Sequence, residues 1–396
     1  MSFFNQLPVF APDSILGLQK LFLEDDREEK VNLVVGSYED PNKAYGGFSS
    51  VRKAQFLFLE DEMNKSYLPI RGLSSFLKDM QRLVFGGVDS KFVTGVQALG
   101  GTGALHLGAE IFAMAYPKGK VYIPQQTWGN HVRIFAQQGL EVLRYPYYSP
   151  ESKSLVFDEM VTALEAIPSY SMVLLQCCCH NPTGMDLSEQ MWEHLAELML
   201  KRNLLPFFDT AYLGFGEGIE KDRRPIEIFT ERGHTVFVAA CASKNFSLYG
   251  ERVGYFSVYS RSEDDLANIS SCLEEKIRGA YSSPPRHGAK IVATILSDAL
   301  LREEWLSELD GIRQSLGNIR AKFVQAMREH VGHSFDFILS QKGFFGYPGF
   351  SSEQVEFLRS EKGIYTTSGA RLNLKGITDE NIDRVARGFA EAFLLQ

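Results

Sequence analysis

The sequence places chemistry-bearing side chains just past a series of apolar runs. His180-Asn181-Pro182-Thr183-Gly184 follows Met172 to Cys178, and Asp209 follows Leu204 to Phe208 with Tyr212 three residues on. Ser243-Lys244-Asn245 follows Thr235 to Ala240, and Arg252 stands eight residues past the lysine. Gly100-Gly101-Thr102-Gly103 follows Phe92 to Leu99. A lysine amine can form a Schiff base with an aldehyde, and burial behind an apolar strand lowers its pKa. A carboxylate can pair with a protonated ring nitrogen, while an asparagine and a tyrosine hydroxyl can hold a phenolate oxygen. A Gly-rich helix start offers free N–H groups and a positive dipole end to phosphate, and an arginine adds a fork of donors. Singly, each feature is ordinary: GGTG is usually a turn, an aspartate a helix cap, a lysine a solvated surface group. Trp128 alone reads as core, and His131 and His180 alone read as structural. Together these residues are the parts that a pyridoxal phosphate site requires.

Such a constellation needs strands to aim it. From about residue 50 to 300 the sequence alternates helix-like segments with apolar, strand-like ones. Helix readings cover Val51 to Asn64, Leu73 to Phe85, Ala104 to Tyr116, Asn130 to Gln138, Met160 to Ala166 and Ser188 to Lys201. Between and beyond them Lys120 to Ile123, Glu141 to Tyr145 and Gly254 to Tyr259 join the apolar runs above as strands. That alternation predicts an α/β fold, its large domain a mostly parallel sheet with helices on both faces. Ligands of such sheets bind beyond the carboxyl ends of the strands, where the residues above lie. After about residue 290 the pattern changes. A helical stretch is expected from Ala289 to His330 with an interruption near Ser307 to Gly311, then a strand at Phe335 to Leu339 and a last helix at Asp379 to Leu394. Near the start, Asp13 can cap a short helix over Ser14 to Leu23, and Val31 to Val35 is strand-like. The expected organisation is an arm over 1–12, a large cofactor-binding domain over 44–299, and a smaller α+β domain built from 13–43 and 300–396.

Composition narrows the alternatives. The 396 residues carry a formal net charge of −8, with 44% hydrophobic and 23% charged residues, which is ordinary globular usage. No basic stripe is present to release counterions, so nucleic acid is not an expected partner. Apolar stretches such as Val236 to Ala242 fall far short of a membrane span. Met1 to Phe10 lacks the basic region of a secretory signal. Three of the five cysteines are consecutive, Cys177, Cys178 and Cys179, and neighbours on a strand point apart. Disulfides are therefore not expected, and a reducing, cytoplasmic location is.

The blocks HNPTG, PFFDTAYLGFGEG, SKNFSLYGERVG and RGAYSSPPRHGA resemble the signatures of class I aminotransferases, fold type I pyridoxal phosphate enzymes, and most of all their aspartate/aromatic subgroup. PDSILGL, VNLVVGSYED, NKSYLPIRGL, GGTGAL, TWGNH and ARLNLKGIT support the resemblance, which is collinear over essentially the whole chain. It implies pyridoxal 5'-phosphate as cofactor and roles motif by motif. Lys244 resembles the Schiff-base lysine, and Asp209 the pyridinium partner with His131 behind it. Asn181 and Tyr212 resemble the groups on the phenolate oxygen, and Trp128 the ring-stacking tryptophan. Gly101, Thr102, Ser243 and Arg252 resemble phosphate binders, and Tyr67 a tyrosine that reaches the neighbouring subunit's phosphate. Arg371 resembles the arginine on the substrate α-carboxylate, and Arg278 the one that meets a dicarboxylic side chain across a homodimer interface. Gly36 and Phe345 resemble residues lining the substrate cleft. Three positions depart from the pattern: Cys241 for a phosphate-binding serine, Gln176 for a histidine in the network behind the pyridinium aspartate, and Ser283 for an asparagine. The implied reaction is ping-pong transamination between L-aspartate and 2-oxoglutarate. Aromatic-amino-acid transamination is the runner-up, and a β-lyase or decarboxylase on the same fold stands behind it. A cofactor-free scaffold on this fold predicts loss of Lys244 or Asp209, and both are present.

Overall fold

The computed structural model describes residues 3–9, 14–34, 36, 47–61 and 65–395. Phe10, Asp13 and Val35 lie outside the described residues. The chain divides into two compact units, one of Ser37–Asn318 with Ser340–Phe344, the other of Met1–Gly36, Ile319–Leu339 and Phe345–Gln396.

The larger unit is built on a seven-stranded sheet. Its strands are β1 (Val93–Leu99), β2 (Lys120–Pro124), β3 (Glu141–Tyr145), β4 (Met172–Gln176), β5 (Leu205–Thr210), β6 (Val236–Cys241) and β7 (Val253–Tyr259). The order across the sheet is β1-β7-β6-β5-β4-β2-β3. Neighbours from β6 to β3 pair in parallel, whereas β7 runs antiparallel to both β1 and β6. The expected mostly parallel α/β sheet is thus present, with one reversed strand. Period-two alternation explains why the central strands are apolar throughout. In β5, Phe207 meets Phe135, Phe237 and Phe256 on one face, while Phe208 meets Trp192 and Phe229 on the other. In β7, Phe256 joins the first cluster and Tyr255 meets Phe76 on the opposite face. Each face needs helices to cover it. Helix α1 (Gly100–Ala115) buries Leu105, Leu107, Ile111 and Phe112. Helix α2 (Ile219–Glu231) covers the other side through Phe229, and α3 (Glu263–Ala280) buries Leu266, Leu273 and Ile277.

The sequence reading differs from the structure in several places. The sequence reading marks neither α2 nor α3 as a helix. The pattern places an interruption near Ser307 to Gly311, but α4 (His287–Ser297) ends and α5 (Ala299–Val331) begins around Asp298. Asp298 leaves the helical region, at φ −92° and ψ 124°, and its carboxylate accepts from the Leu301 N–H as a cap does. Gly311 is carried inside α5 instead of ending it. The expected strand at Phe335 to Leu339 is a 3₁₀ segment, Gly332–Ser340. Phe335 and Ile338 are three residues apart, so a 3₁₀ turn points both inward, where an alternating strand could not.

The smaller unit pairs Val31–Asn32 in parallel with Ile364–Tyr365, and Phe345–Gly346 antiparallel with Leu372–Asn373. Its core is aromatic. Phe389, on the terminal helix Ile382–Leu394, meets Phe323 and Phe350, and Phe335 meets Phe350 and Phe393.

Candidate active site

Strand direction decides what meets at the sheet edge. Parallel strands β4, β5 and β6 end at Gln176, Thr210 and Cys241, so the loops after them share one edge. Because β7 is antiparallel, it begins at that same edge. Val253 pairs with Leu99 at the end of β1, and Gly254 pairs with Cys241 at the end of β6. Arg252, the residue before β7, is thereby brought to the start of α1, where its carbonyl accepts from the Gly100 N–H at 2.9 Å. Gly100 has a φ of +70°, and a Cβ there would strike the Arg252 guanidinium, 2.7 Å from Cζ. The glycine is what lets that cation lie beside the first N–H groups of the helix. Gly101 and Thr102 follow in the first turn of α1, and Ser243 is buried just past β6. Cys241 lies beside Gly101: a Cβ on that glycine would meet its Sγ at 3.4 Å.

Lys244 stands three residues past β6 with its Nζ 5.0 Å from the centre of the Tyr212 ring. Burial pushes its amine down, as the sequence reading expected. The Tyr212 hydroxyl, the Cys241 thiol and the Asp209 carboxylate outweigh burial, and the amine is held above the usual lysine range. The expectation of a lowered lysine pKa is therefore corrected: an acidic surround outweighs desolvation. Tyr212 is buried, with its ring 5.7 Å from that of Phe344.

Asp209 is buried near the end of β5, and a carboxylate can only accept, so His131 Nε2 donates to its Oδ2 at 3.1 Å. On the other side of the ring, His131 Nδ1 shares a hydrogen bond of 2.8 Å with Thr127 Oγ1. Gln176 Nε2 in turn donates to Thr127 Oγ1 at 3.4 Å. The chain of hydrogen bonds behind Asp209 therefore continues through the glutamine. Trp128 is half-buried, edge-on to His131 with ring centres 5.3 Å apart. Asn181 is buried in the loop after β4. His180 stacks on Tyr147 with ring centres 3.9 Å apart, and burial with the nearby His131 pushes its pKa down to about 3. Sequence reasoning missed Thr127, although its spacing of four from His131 in TWGNH was a usable signal.

Arg371 is buried in the smaller unit. Its guanidinium lies 4.1 Å from the centre of the Phe345 ring, and its Nη2 donates to the Val34 carbonyl at 2.8 Å. Gly36 is half-buried two residues past Val34. Tyr67 and Arg278 are not gathered with the buried residues. Tyr67 is 93% exposed, and Arg278 is exposed on the last turn of α3, donating to Ser282 Oγ. Tyr67 lines a surface pocket of about 470 Å³ with Ser282, Ser283 and Arg286. All five cysteines are free thiols. Among the described residues no helix is long and apolar enough to cross a membrane, and no cluster of His, Cys, Asp or Glu is placed to hold a metal ion.

This donor set fits a phosphorylated aromatic aldehyde: an amine for the carbonyl, a buried carboxylate for a ring nitrogen, and a glycine-lined helix start with an arginine for phosphate. An α/β sheet carrying that set at its strand ends has the parts of a pyridoxal phosphate enzyme. The chain matches the family Aminotransferase class I and II over residues 28–389, and it belongs to that family. It is 38% identical over 384 residues to the aspartate aminotransferase of Escherichia coli, covering 96% of this chain and 97% of that one. It is 37% identical over 393 residues to the aromatic-amino-acid aminotransferase of the same organism, covering 98% and 99%. Among solved structures, the aromatic-amino-acid aminotransferase of Burkholderia pseudomallei, covalently bound to pyridoxal phosphate, superposes with a TM-score of 0.95 at 39% identity, covering 99% of this chain and 100% of that one.

Proposed function

We propose that this chain is an aspartate aminotransferase with pyridoxal 5'-phosphate as its cofactor. It exchanges amino groups between L-aspartate and 2-oxoglutarate to give oxaloacetate and L-glutamate. The observation that carries the reading is the convergence of Lys244, Asp209, Tyr212 and Arg252 on one edge of the sheet. When bound, the cofactor supplies an aldehyde for the amino group and a ring that takes up the electrons of a broken Cα–H bond. Asp209, oriented by His131, supplies the negative charge that keeps the ring nitrogen protonated. Asn181 and Tyr212 hold the phenolate oxygen, and Trp128 covers the ring. The backbone at Gly101 and Thr102, with Ser243 and Arg252, holds the phosphate. The amine of Lys244 would take the proton from the substrate Cα and deliver it to the cofactor's C4′ carbon, so it works as base and then acid. Arg371 clamps the α-carboxylate, with Gly36 and Phe345 beside the substrate.

Arg278 reads the second carboxylate of a dicarboxylic donor, because its planar fork suits bidentate pairing. Its exposure, and that of Tyr67, support a homodimer in which each of these residues serves the neighbouring subunit. The five free thiols support a reducing, cytoplasmic compartment. Aromatic donors form the second reading, favoured by the 37% and 39% identities to aromatic-amino-acid enzymes.

The test is kcat/KM for aspartate, phenylalanine and arginine with 2-oxoglutarate, in the wild type, Arg278→Asp and Arg371→Ala. Removing a charge-assisted partner from a closing site lowers the aspartate value at least about thirtyfold in Arg278→Asp, with phenylalanine much less affected. Arg371→Ala damages all three donors. An equal fall for every donor in Arg278→Asp assigns that arginine to the interface, and an unchanged aspartate value removes the dicarboxylate reading. Oxaloacetate with glutamate as products excludes the β-lyase and decarboxylase routes.

A further inference from the structure

The loop after β4 hangs on two anchors. Asp186 accepts from the Cys179 N–H at 2.8 Å and from the His180 N–H at 2.9 Å, which fixes the first half. The next residue, Asn181, is held from the other side by Gln176. Gln176 Oε1 accepts from the Asn181 N–H at 2.9 Å, and Gln176 Nε2 donates to the Asn181 carbonyl at 3.2 Å. One amide side chain therefore grips both polar groups of one residue's backbone. The same Nε2 reaches Thr127 Oγ1, which leads through His131 to Asp209. Gln176 is 6% exposed and pairs in register with Asp209 on the neighbouring strand. Its backbone is fixed by the sheet, so its side chain links a rigid element to a loop.

We propose that Gln176 is a positioning residue that ties Asn181 to the Asp209–His131 pair. It fixes in one frame the group for the cofactor's phenolate oxygen and the group for its ring nitrogen. The inference rests on the transaminase reading and deepens it. An amide suits this task because it offers a donor and an acceptor at once and carries no charge across the working pH range. A carboxylate in its place keeps the acceptor and loses both donated bonds. A thioether of the same length loses all three.

The experiment is a double-mutant cycle with wild type, Gln176→Met, Asn181→Ala and the double variant, each loaded with pyridoxal phosphate. The readings are the cofactor dissociation constant, the visible circular dichroism of the bound cofactor, and kcat and KM for the amino donor. In the wild-type background, Gln176→Met is expected to weaken cofactor binding and kcat by about tenfold each, the middle of the range for partners in one hydrogen-bond network. It should also change the visible dichroism, with KM moving much less than kcat. In the Asn181→Ala background the same substitution should cost much less, because the side chain it positions is gone and only the bond to Thr127 is still lost. An equal loss in both backgrounds, or no loss in either, overturns the proposal. If Gln176→Met does not fold, Gln176→Glu replaces it in the cycle and is held to the same two outcomes. A wild type that binds no pyridoxal phosphate fails the transaminase reading itself, whereas normal wild-type binding with a flat cycle fails this inference alone.

Discussion

Gly100 offers a test of the phosphate end of the site, because its substitution acts through two separable effects. Its φ of +70° lies in the left-handed region, which costs an alanine about 1–2 kcal/mol. The added Cβ would also sit 2.7 Å from Arg252 Cζ, where ordinary contact begins at 3.4 Å. The guanidinium must therefore retreat by most of an ångström, and Arg252 is itself held at φ 53°. A hydrogen bond to a charged group is worth about 1.5–3 kcal/mol, so Gly100→Ala should loosen pyridoxal phosphate roughly ten- to a hundredfold. The control is one residue away. A Cβ on Gly101 meets Cys241 Sγ at 3.4 Å and its Cβ at 3.5 Å, with no positive φ to relieve. Alanine there retains the backbone N–H in a helical turn that favours it, and cofactor affinity should stay within about threefold. Cofactor affinity is read by equilibrium dialysis on the apo proteins, and the backbone strain separately by their thermal midpoints. Equal loosening by the two variants would refute the reasoning. So would a lowered midpoint for Gly100→Ala with cofactor affinity intact, which would remove Arg252 from the phosphate site.

Borohydride reduction of the loaded protein should fix the cofactor on the peptide that contains Lys244, and Lys244→Ala should lose transamination by many orders of magnitude; label on another lysine would contradict the assignment. Mixing inactive Lys244→Ala with inactive Arg278→Ala should restore some dicarboxylate activity, because one site of the heterodimer is then intact; sedimentation as a fully active monomer would rule this out. His180 predicts an acid limb in stability. It is held neutral down to about pH 3, whereas the unfolded chain takes up its proton below about 6.5. Its contribution is therefore complete above pH 6.5 and is lost as pH falls, by about 1.4 kcal/mol per unit. His180→Phe, which keeps the stack on Tyr147, should flatten denaturant midpoints between pH 6.5 and 4; an unchanged slope would disprove the assignment. Asp186, pushed up to about 6 by burial, acts in the opposite direction in both proteins and cancels from the comparison.

The site was more legible in the sequence than the fold around it. Asp209 and Lys244 stand out because a charge at the end of a fully apolar run is costly to bury unless a partner or a ligand meets it. GGTG marks the opening of α1 because glycine tolerates both the turn and the close approach of Arg252. The reversal of β7 was hidden, since a strand buried on both faces reads the same in either direction. Helix α2 was masked by Pro225 within it and by its polar surface. Helix α3 also goes unassigned, although Ser262 followed by Glu263, Asp264 and Asp265 is a helix-start pattern. The bond from Gln176 to Thr127 depends on the meeting of two segments far apart in the chain, and no local pattern encodes such a meeting. Tyr67 and Arg278 are named by motif alone, because their proposed work lies on another subunit's site.

The reversed strand also sets the order of events during synthesis. β1 is complete once residue 99 has been made, yet its partner in the sheet is 253–259. Until that late segment emerges, the start of α1 has no Arg252 beside it and the end of β6 has no neighbour on that side. A growing chain that stops before residue 252 thus holds Asp209, Asn181 and Lys244 without the arginine that β7 brings to the start of α1. Closing a connection of this length costs entropy that later contacts must offset. A cofactor that binds the assembled sheet stabilises the finished fold by mass action.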